Sequence, residues 1–234
     1  MDNVKAIILA GGKGRRLKPF TYVLPKPLVP VGEKPILEIL LNQLKGYGIK
    51  DIVLCVNHMA ELIRSYFGNG KKFGINIEYS VEDKELGTVG PLKLIKELPE
   101  NFLVMNGDLL TDMDFMDFFN FHLKKGKLLS VSTYTRVVNI DFGVIKTENN
   151  KIYDFIEKPD YTFEVSMGVY GFNKKVLDYV PDNEFFGFDK LMLKLLGMEI
   201  DIESYNYRGY WLDIGRPEDF EIANEDIKKL RFIK

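Results

Sequence analysis

The stretch AGGKGRRLKPFTYVLPKPLVPVG, Ala10 to Gly32, carries the cations Lys13, Arg15, Arg16, Lys18 and Lys26 and no carboxylate; none occurs between Asp2 and Glu33. The chain as a whole holds 34 acidic residues against 32 Lys and Arg, a formal net charge of −2. So local an imbalance in a near-neutral protein calls for a local anion. Gly11-Gly12-Lys13-Gly14 lets the backbone bend tightly and turn its N–H groups toward one. Arg16 can fork onto paired phosphate oxygens and Lys26 can act as a point charge, which is what a polyphosphate requires. The alternative is a solvated basic loop. Pro25, Pro27 and Pro30 argue against a floppy one, because each fixes its φ. Neither familiar phosphate loop fits: Leu17 stands where a dinucleotide fingerprint needs its third glycine, and no G-x-x-x-x-G-K-[ST] is present.

Other residues able to do chemistry are few. Asp108 closes an apolar run and Asp213 follows Trp211-Leu212, both at strand ends. Open α/β sheets place their ligands at such ends, although a single Asp there is also a common turn or cap residue. Asp112-Met113-Asp114 offers a D-x-D metal pattern, but its position before the apolar periodicity of Phe115–Leu123 favours helix capping. Cys55, the single cysteine, lies inside an apolar run and reads as a buried small hydrophobe. One cysteine excludes an intramolecular disulfide and a thiolate-cluster metal site.

These residues need a scaffold. Val4–Ala10, Asp51–Asn57 and Asn101–Asp108 are apolar runs of strand length, and Ile75–Glu82 reads as a fourth strand. Helical patterns fall between them: the Ile36, Leu37, Leu40, Leu41, Leu44 stripe behind Pro35, the segment Met59–Gly68, and Pro91–Leu98 with Pro at its start. This alternation is the pattern of a mostly parallel sheet with helices on both faces. After about residue 128 the chain turns β-rich, with a hairpin expected at Asn149-Asn150 and a strand at Val165–Asn173. Helices are expected near Asp189–Leu196 and Pro217–Leu230. The expected fold is therefore α/β, a Rossmann-like mostly parallel mixed sheet with a smaller, partly antiparallel lobe. It forms one domain over 1–234, divided at about 127/128.

A chain of 234 residues can bury a substantial core. The near-zero net charge gives no reason to expect nucleic acid or a membrane surface as partner. No apolar run is long enough to span a membrane, and the N-terminus enters a strand without a signal-peptide pattern, so a cytoplasmic location is expected.

The basic stretch also resembles the signature of the sugar-1-phosphate nucleotidyltransferases, approximately G-G-x-G-T-R-L-x-P-L-T…P-K-P-L-x-P-V, here GGKGRRLKPFT…PKPLVPV. The resemblance continues in family order through EKPILE, ELGTVGPL (Glu85–Leu92), NGD (Asn106–Asp108), FGVI (Phe142–Ile145), EKP (Glu157–Pro159), SMGVYGFN and YWLDIG (Tyr210–Gly215). One departure is Arg15, where the family has Thr; the signature arginine aligns with Arg16. NGDLLTDMDF and WLDIGRPEDFEIAN look most like mannose-1-phosphate or heptose-1-phosphate guanylyltransferases.

The resemblance implies the reaction NTP + sugar 1-phosphate → NDP-sugar + pyrophosphate, with a nucleotide-binding and a sugar-phosphate-binding lobe, feeding polysaccharide or glycoconjugate synthesis. It implies Arg16 and Lys26 on the phosphates and Asp108 and Asp213 as carboxylates for Mg2+. The nucleotide would meet Leu9, Ala10, Gly11, Gly12, Gly14, Arg15, Glu82, Gly87 and Thr88. The sugar phosphate would meet Asn106, Gly143, Glu157, Lys158, Gly168 and Trp211. Such an acceptor phosphate is already ionised near neutral pH, with a second pKa of about 6, so neither His58 nor His122 needs a catalytic role. Glu82 accepts but cannot donate, which suits guanine's N1–H and N2 donors and leans the base toward GTP. CTP, UTP or dTTP remain alternatives. So do a glycosyltransferase using Asp112 and Asp114 and a non-catalytic sugar-nucleotide regulator. The sequence leaves open a homodimer, and a further C-terminal hexapeptide-repeat domain is not expected.

Overall fold

The computed structural model describes residues 4–230. Its first strand, β1 (Lys5–Leu9), runs into the glycine loop, which forms three short 3₁₀ turns between Arg15 and Leu28. A small hairpin, β2 (Pro30–Val31) and β3 (Lys34–Pro35), leads to α1 (Ile36–Gly46). The predicted stripe Ile36, Leu37, Leu40, Leu41 and Leu44 is buried. Pro35 stands just before the helix rather than inside its first turn.

Next come β4 (Asp51–Val56), α2 (Ala60–Phe67), β5 (Asn76–Val81), β6 (Asn101–Asn106), β7 (Leu109–Thr111) and α3 (Phe115–Lys125). The second half holds β8 (Leu129–Asn139), β9 (Val144–Glu148), β10 (Lys151–Ile156), β11 (Asp160–Asn173), α4 (Phe188–Gly197), β12 (Glu203–Tyr207), β13 (Trp211–Asp213) and α5 (Pro217–Asp226).

Seven strands form one mixed sheet in the order β12-β8-β11-β6-β1-β4-β5. The strands β6, β1, β4 and β5 are mutually parallel, and β11 joins the two halves by pairing antiparallel with both β6 and β8. The expected α/β sheet is therefore present, and the β-rich half extends it instead of forming a detached layer. Ala6, Ile7 and Ile8 of β1 and Phe102, Leu103 and Val104 of β6 are buried on both sheet faces, which explains their unbroken apolar runs.

Asn149 and Asn150 have φ of 49° and 63°, so both central residues of the β9–β10 turn are left-handed, as a type I′ hairpin requires. The helix expected over Pro91–Leu98 is instead a 3₁₀ turn at Gly90–Leu94. The Val89 and Gly90 N–H groups both donate to the Phe186 carbonyl, and Pro99 disfavours helix at the residue before it. No helix among the described residues is long and apolar enough to cross a membrane.

Candidate active site

The parallel strands deliver the site from their carboxyl ends. β1 ends at Leu9, β4 at Val56, β5 at Val81 and β6 at Asn106. The residues that follow, Ala10–Gly14, Asn57, Glu82 and Gly107–Asp108, therefore crowd one edge of the sheet, where such sheets bind ligands. Two hydrogen bonds tie these exits together: the Ala10 N–H donates to the Cys55 carbonyl at 2.8 Å and the Gly107 N–H to the Leu9 carbonyl at 3.0 Å.

The second aspartate arrives by strand pairing. β13 runs antiparallel to β7 with Asp213 opposite Leu109, and the Ile214 N–H donates to the Asp108 carbonyl at 3.1 Å. Two residues 105 positions apart are thereby set side by side. Burial, then the neighbouring Asp108 charge, push the Asp213 carboxyl above the usual range, while Lys26 and Arg16 pull the other way. The Lys26 ammonium pairs with Asp108 Oδ2 where both side chains are mostly enclosed, 13% and 19% exposed. Asp108 Oδ1 is buried without a hydrogen-bond partner.

That orphaned oxygen and the crowded second carboxylate fit a hard divalent cation such as Mg2+, which takes a few carboxylates and completes its shell with phosphate oxygens and water. No cluster of three or more His, Cys, Asp or Glu suited to a metal exists among the described residues. The pair would need its substrate to complete a shell.

Around these groups lie three connected clefts. The first, about 260 Å³, is lined by Leu9, Ala10, Gly12, Gly14, Arg15, Arg16, Lys26 and Asp108, with Pro27, Gly107 and Gly215. Gly14 has a φ of 57°, and its carbonyl accepts the Thr21 hydroxyl at 2.9 Å, which pins the loop. A Cβ on Gly215 would lie 3.3 Å from Arg16 Nη2, so this glycine makes room for the guanidinium.

The second cleft shares Leu9, Gly12 and Asp108 and adds Gly11, Glu82, Gly87, Thr88 and Asn106, together with Cys55, Glu85, Pro91 and Phe185. Glu82 Oε2 accepts the Leu86 N–H at 2.8 Å, and Asn57 also bonds to this carboxylate. Burial raises its pKa, and those two hydrogen bonds oppose the rise. A Cβ on Gly11 would stand 3.1 Å from Glu82 Oε1, so glycine admits the carboxylate against the loop. Gly87 has a φ of 83° and packs on the Phe186 backbone, while the Thr88 hydroxyl accepts the Phe188 N–H at 2.7 Å and steadies the start of α4. Burial, with Glu82 beside it, pushes the Cys55 thiol up to about 12, which leaves it an inert wall atom. Across the mouth, Lys13 reaches Glu85 at 3.2 Å.

The third cleft opens from Arg16, Asp213 and Gly215 toward Trp211, Tyr134, Arg136 and Arg216. The Trp211 indole N–H donates to the Met167 carbonyl at 3.0 Å, and its ring lies 5.3 Å from that of Tyr134. Gly168, at a φ of 77°, sits where the β8–β11 register shifts; a Cβ there would meet Asn106 Nδ2 at 2.5 Å.

Gly143, Glu157 and Lys158 line none of these clefts. A Cβ on Gly143 would meet the Phe155 ring at 2.5 Å and Glu157 Oε2 at 3.2 Å, and Lys158, at a φ of 41°, pairs with Asp141 at 3.1 Å. These residues gather at the base of the β9–β10 hairpin. The sequence reading passed over Tyr134, Arg136, Arg216 and Gly215. The first two could have been found: no carboxylate occurs between Asp117 and Asp141, a second acid-free stretch, and strand alternation puts Tyr134 and Arg136 on one face.

The D-x-D pattern is structural. Asp114 accepts the Met116 and Asp117 N–H groups at 2.8 and 3.0 Å as the cap of α3. Asp112 accepts the Tyr207 hydroxyl and the Tyr210 N–H. His122 is buried against Ser130, with Nδ1 2.8 Å from its hydroxyl, and neither histidine lines the three clefts.

The model of the nucleotidyl transferase family matches residues 5–229. The chain belongs to that family. Among family relatives, it is 36% identical over 238 residues to a UTP–glucose-1-phosphate uridylyltransferase of Synechocystis sp., covering 93% of this chain and 61% of that protein. It is 37% identical over 230 residues to a mannose-1-phosphate guanyltransferase of Yarrowia lipolytica, covering 93% and 62%. The chain thus spans about three-fifths of the length of these curated relatives. Two solved structures superpose closely: a putative glucose-1-phosphate thymidylyltransferase from Bacillus anthracis (TM-score 0.77, 26% identity, 97% of this chain and 96% of that one) and HddC from Yersinia pseudotuberculosis (0.75, 26%, 96% and 99%). The same HddC, solved with GMP-PN, superposes with a TM-score of 0.73.

Proposed function

We propose that the chain transfers a nucleoside monophosphate from an NTP to a sugar 1-phosphate, releasing pyrophosphate. The observation that carries this reading is the continuity of the first cleft with its neighbours: Arg16 and Lys26 line it, Asp108 and Asp213 border it, and Glu82 lies beyond. The acceptor phosphate is a dianion near neutral pH and needs no general base. Catalysis then consists of holding the acceptor in line with the α-phosphorus and stabilising the charge that builds on the departing pyrophosphate. Arg16 and Lys26 hold the phosphates, with Gly11, Gly12 and Gly14 offering backbone N–H groups and Arg15 at the rim. Mg2+ on Asp108 and Asp213 would polarise the phosphoryl oxygens.

The base goes to the Glu82 cleft, with Leu9, Ala10, Gly87 and Thr88 around it. We assign GTP, because a fixed carboxylate accepts from guanine's N1–H and N2 amino group, whereas uracil presents a mixed edge. Identity alone does not decide the base, since uridylyl and guanyl relatives match at 36% and 37%. Residues about 1–127 serve the nucleotide and about 128–234 the sugar phosphate in this reading, with Asn106, Gly168 and Trp211 at the acceptor side and Gly143, Glu157 and Lys158 on the hairpin beside it.

The test is Mg2+-dependent pyrophosphate release with GTP, CTP, UTP, dTTP and ATP against a panel of hexose and heptose 1-phosphates. Release with GTP and a mannose- or heptose-type phosphate is expected. Folded protein that releases none with any pair would overturn the reading in favour of a sugar-nucleotide sensor.

A further inference from the structure

The second cleft holds a carboxylate suited to a base edge and one surface suited to a base face. Among the described residues that line it, Phe185 alone is aromatic. Phe185 is also 56% exposed. A lone exposed phenylalanine is ordinary on a protein surface, but this one sits on fixed backbone. The next residue, Phe186, donates its N–H to the Leu86 carbonyl at 2.9 Å, and its own carbonyl accepts the Val89 and Gly90 N–H groups at 3.0 and 3.1 Å. Glu82 Oε2 accepts the N–H of that same Leu86 at 2.8 Å. The carboxylate and the phenylalanine segment are therefore fastened to one residue, the first at its N–H and the second at its carbonyl. Lys190 Nζ stands over one face of the Phe185 ring, 5.5 Å from the centroid.

We propose that Phe185 stacks on the base of the bound nucleotide and selects for a purine, so that Glu82 reads a base edge while the phenyl ring covers a base face. The assignment rests on the nucleotidyl-transfer reading for the presence of the nucleotide and for the placement of its base beside Glu82. An aromatic side chain gains from stacking on any base, and most from the larger purine ring system. Stacking complements the edge contact, because it removes the exposed ring from water. Phe185 lies between SMGVYGFN and YWLDIG, outside every stretch that carries the family resemblance. The contact is thus a property of this chain and not of the shared motifs.

The experiment is calorimetric titration of the whole chain with GTP and with UTP in Mg2+, without sugar phosphate, so that occupancy is read apart from turnover. Phe185→Ala should weaken GTP binding about tenfold or more, the scale of one base–aromatic stack, and UTP binding by a clearly smaller factor. Phe185→Leu keeps apolar bulk without a π face and should recover little of the loss. Phe185→Trp should recover most of it. Where the wild type turns over, Phe185→Ala should raise the GTP KM by a similar factor and leave kcat and the acceptor KM within about twofold, as expected for lost ground-state binding.

GTP binding that depends on the Phe185 ring, with no pyrophosphate release from any substrate pair, would leave the stack standing and remove the enzymatic reading. Turnover with a GTP titration and KM indifferent to Phe185→Ala would do the reverse. Equal losses for GTP and UTP would make Phe185 a wall for any base and overturn the purine preference. A Phe185→Trp variant as weak as Phe185→Ala would assign the effect to the shape of the segment and overturn the stack. Folded protein that binds neither nucleotide would overturn both readings.

Discussion

The two halves of the sheet build their share of the site differently. On the side proposed for the nucleotide, most contributing loops leave parallel strands, and the linings of the first two clefts come mainly from β1, β4, β5 and β6 exits, with Gly215 and Phe185 added from elsewhere. On the side proposed for the acceptor the strands outrun the core. Val137, Phe142, Ile145, Tyr153, Phe155 and Phe163 are all more than half exposed along β8–β11, and the third cleft, proposed for the acceptor, takes most of its parts from β8, β13 and α5, joined only by tertiary pairing. A loop anchored at a strand end is placed by local sequence; a cleft between remote elements is placed by the whole fold. The first half should therefore behave as a pre-formed cradle whose residues act through charge. The second should tolerate change in stability while altering which acceptor is taken.

The sharpest way to break this contrast is the residue that crosses it. Asp213→Asn should lower kcat by about 10²–10³ or more, as expected when a transition-state charge partner is removed. Its thermal midpoint should hold or rise, because one of two crowded carboxylates is neutralised. Near-wild-type kcat would sink the metal assignment. Arg16→Ala should cost similarly in turnover. Lys26→Ala should add a loss of stability, since it strands Asp108, and breaking a buried pair costs about 3–5 kcal/mol.

Glu82→Gln tests the cradle's selectivity. If the carboxylate reads guanine, the ratio of kcat/KM for GTP over UTP should fall about 10- to 100-fold, in line with about 1–3 kcal/mol for a good bidentate base contact. An unchanged ratio would move base choice elsewhere in the second cleft.

Gly168→Ala probes the seam between the halves. Its φ of 77° and the 2.5 Å approach to Asn106 leave no room for a methyl group. Chemical denaturation should show a loss of about 1–3 kcal/mol. The smallest effect is expected at the rim: Glu85→Gln frees Lys13 from an exposed pair worth about 1 kcal/mol at most, so the NTP KM should fall no more than about fivefold. A rise would mean that Glu85 itself meets the nucleotide.

Much of this was legible beforehand, for reasons the contrast explains. The apolar runs at Val4–Ala10 and Asn101–Asp108 could only be buried strands, so the loops behind them had to share an edge. Asn149-Asn150 announced its turn because both residues tolerate positive φ. The β7–β13 pairing that brings Asp213 to Asp108 left no local trace, since each strand is three residues long. Pro91–Leu98 misled because Pro at a start suits a 3₁₀ turn as well as an α-helix. Arg136 escaped because an arginine on the exposed end of a strand looks like solvent-facing surface until the fold brings Trp211, Asp213 and Arg216 to the same cleft.

The Lys26–Asp108 pair has one more consequence. A loop with so many cations would, left bare, collect any polyanion that passed. Here its most enclosed cation already has a carboxylate partner, so Lys26 meets any further anion with part of its charge answered. Its ammonium still has donors to spare, and an anion reaching it would also meet the repulsion of Asp108. A chain of phosphates that brought its own divalent counter-ion would ease that repulsion, whereas a naked one would not.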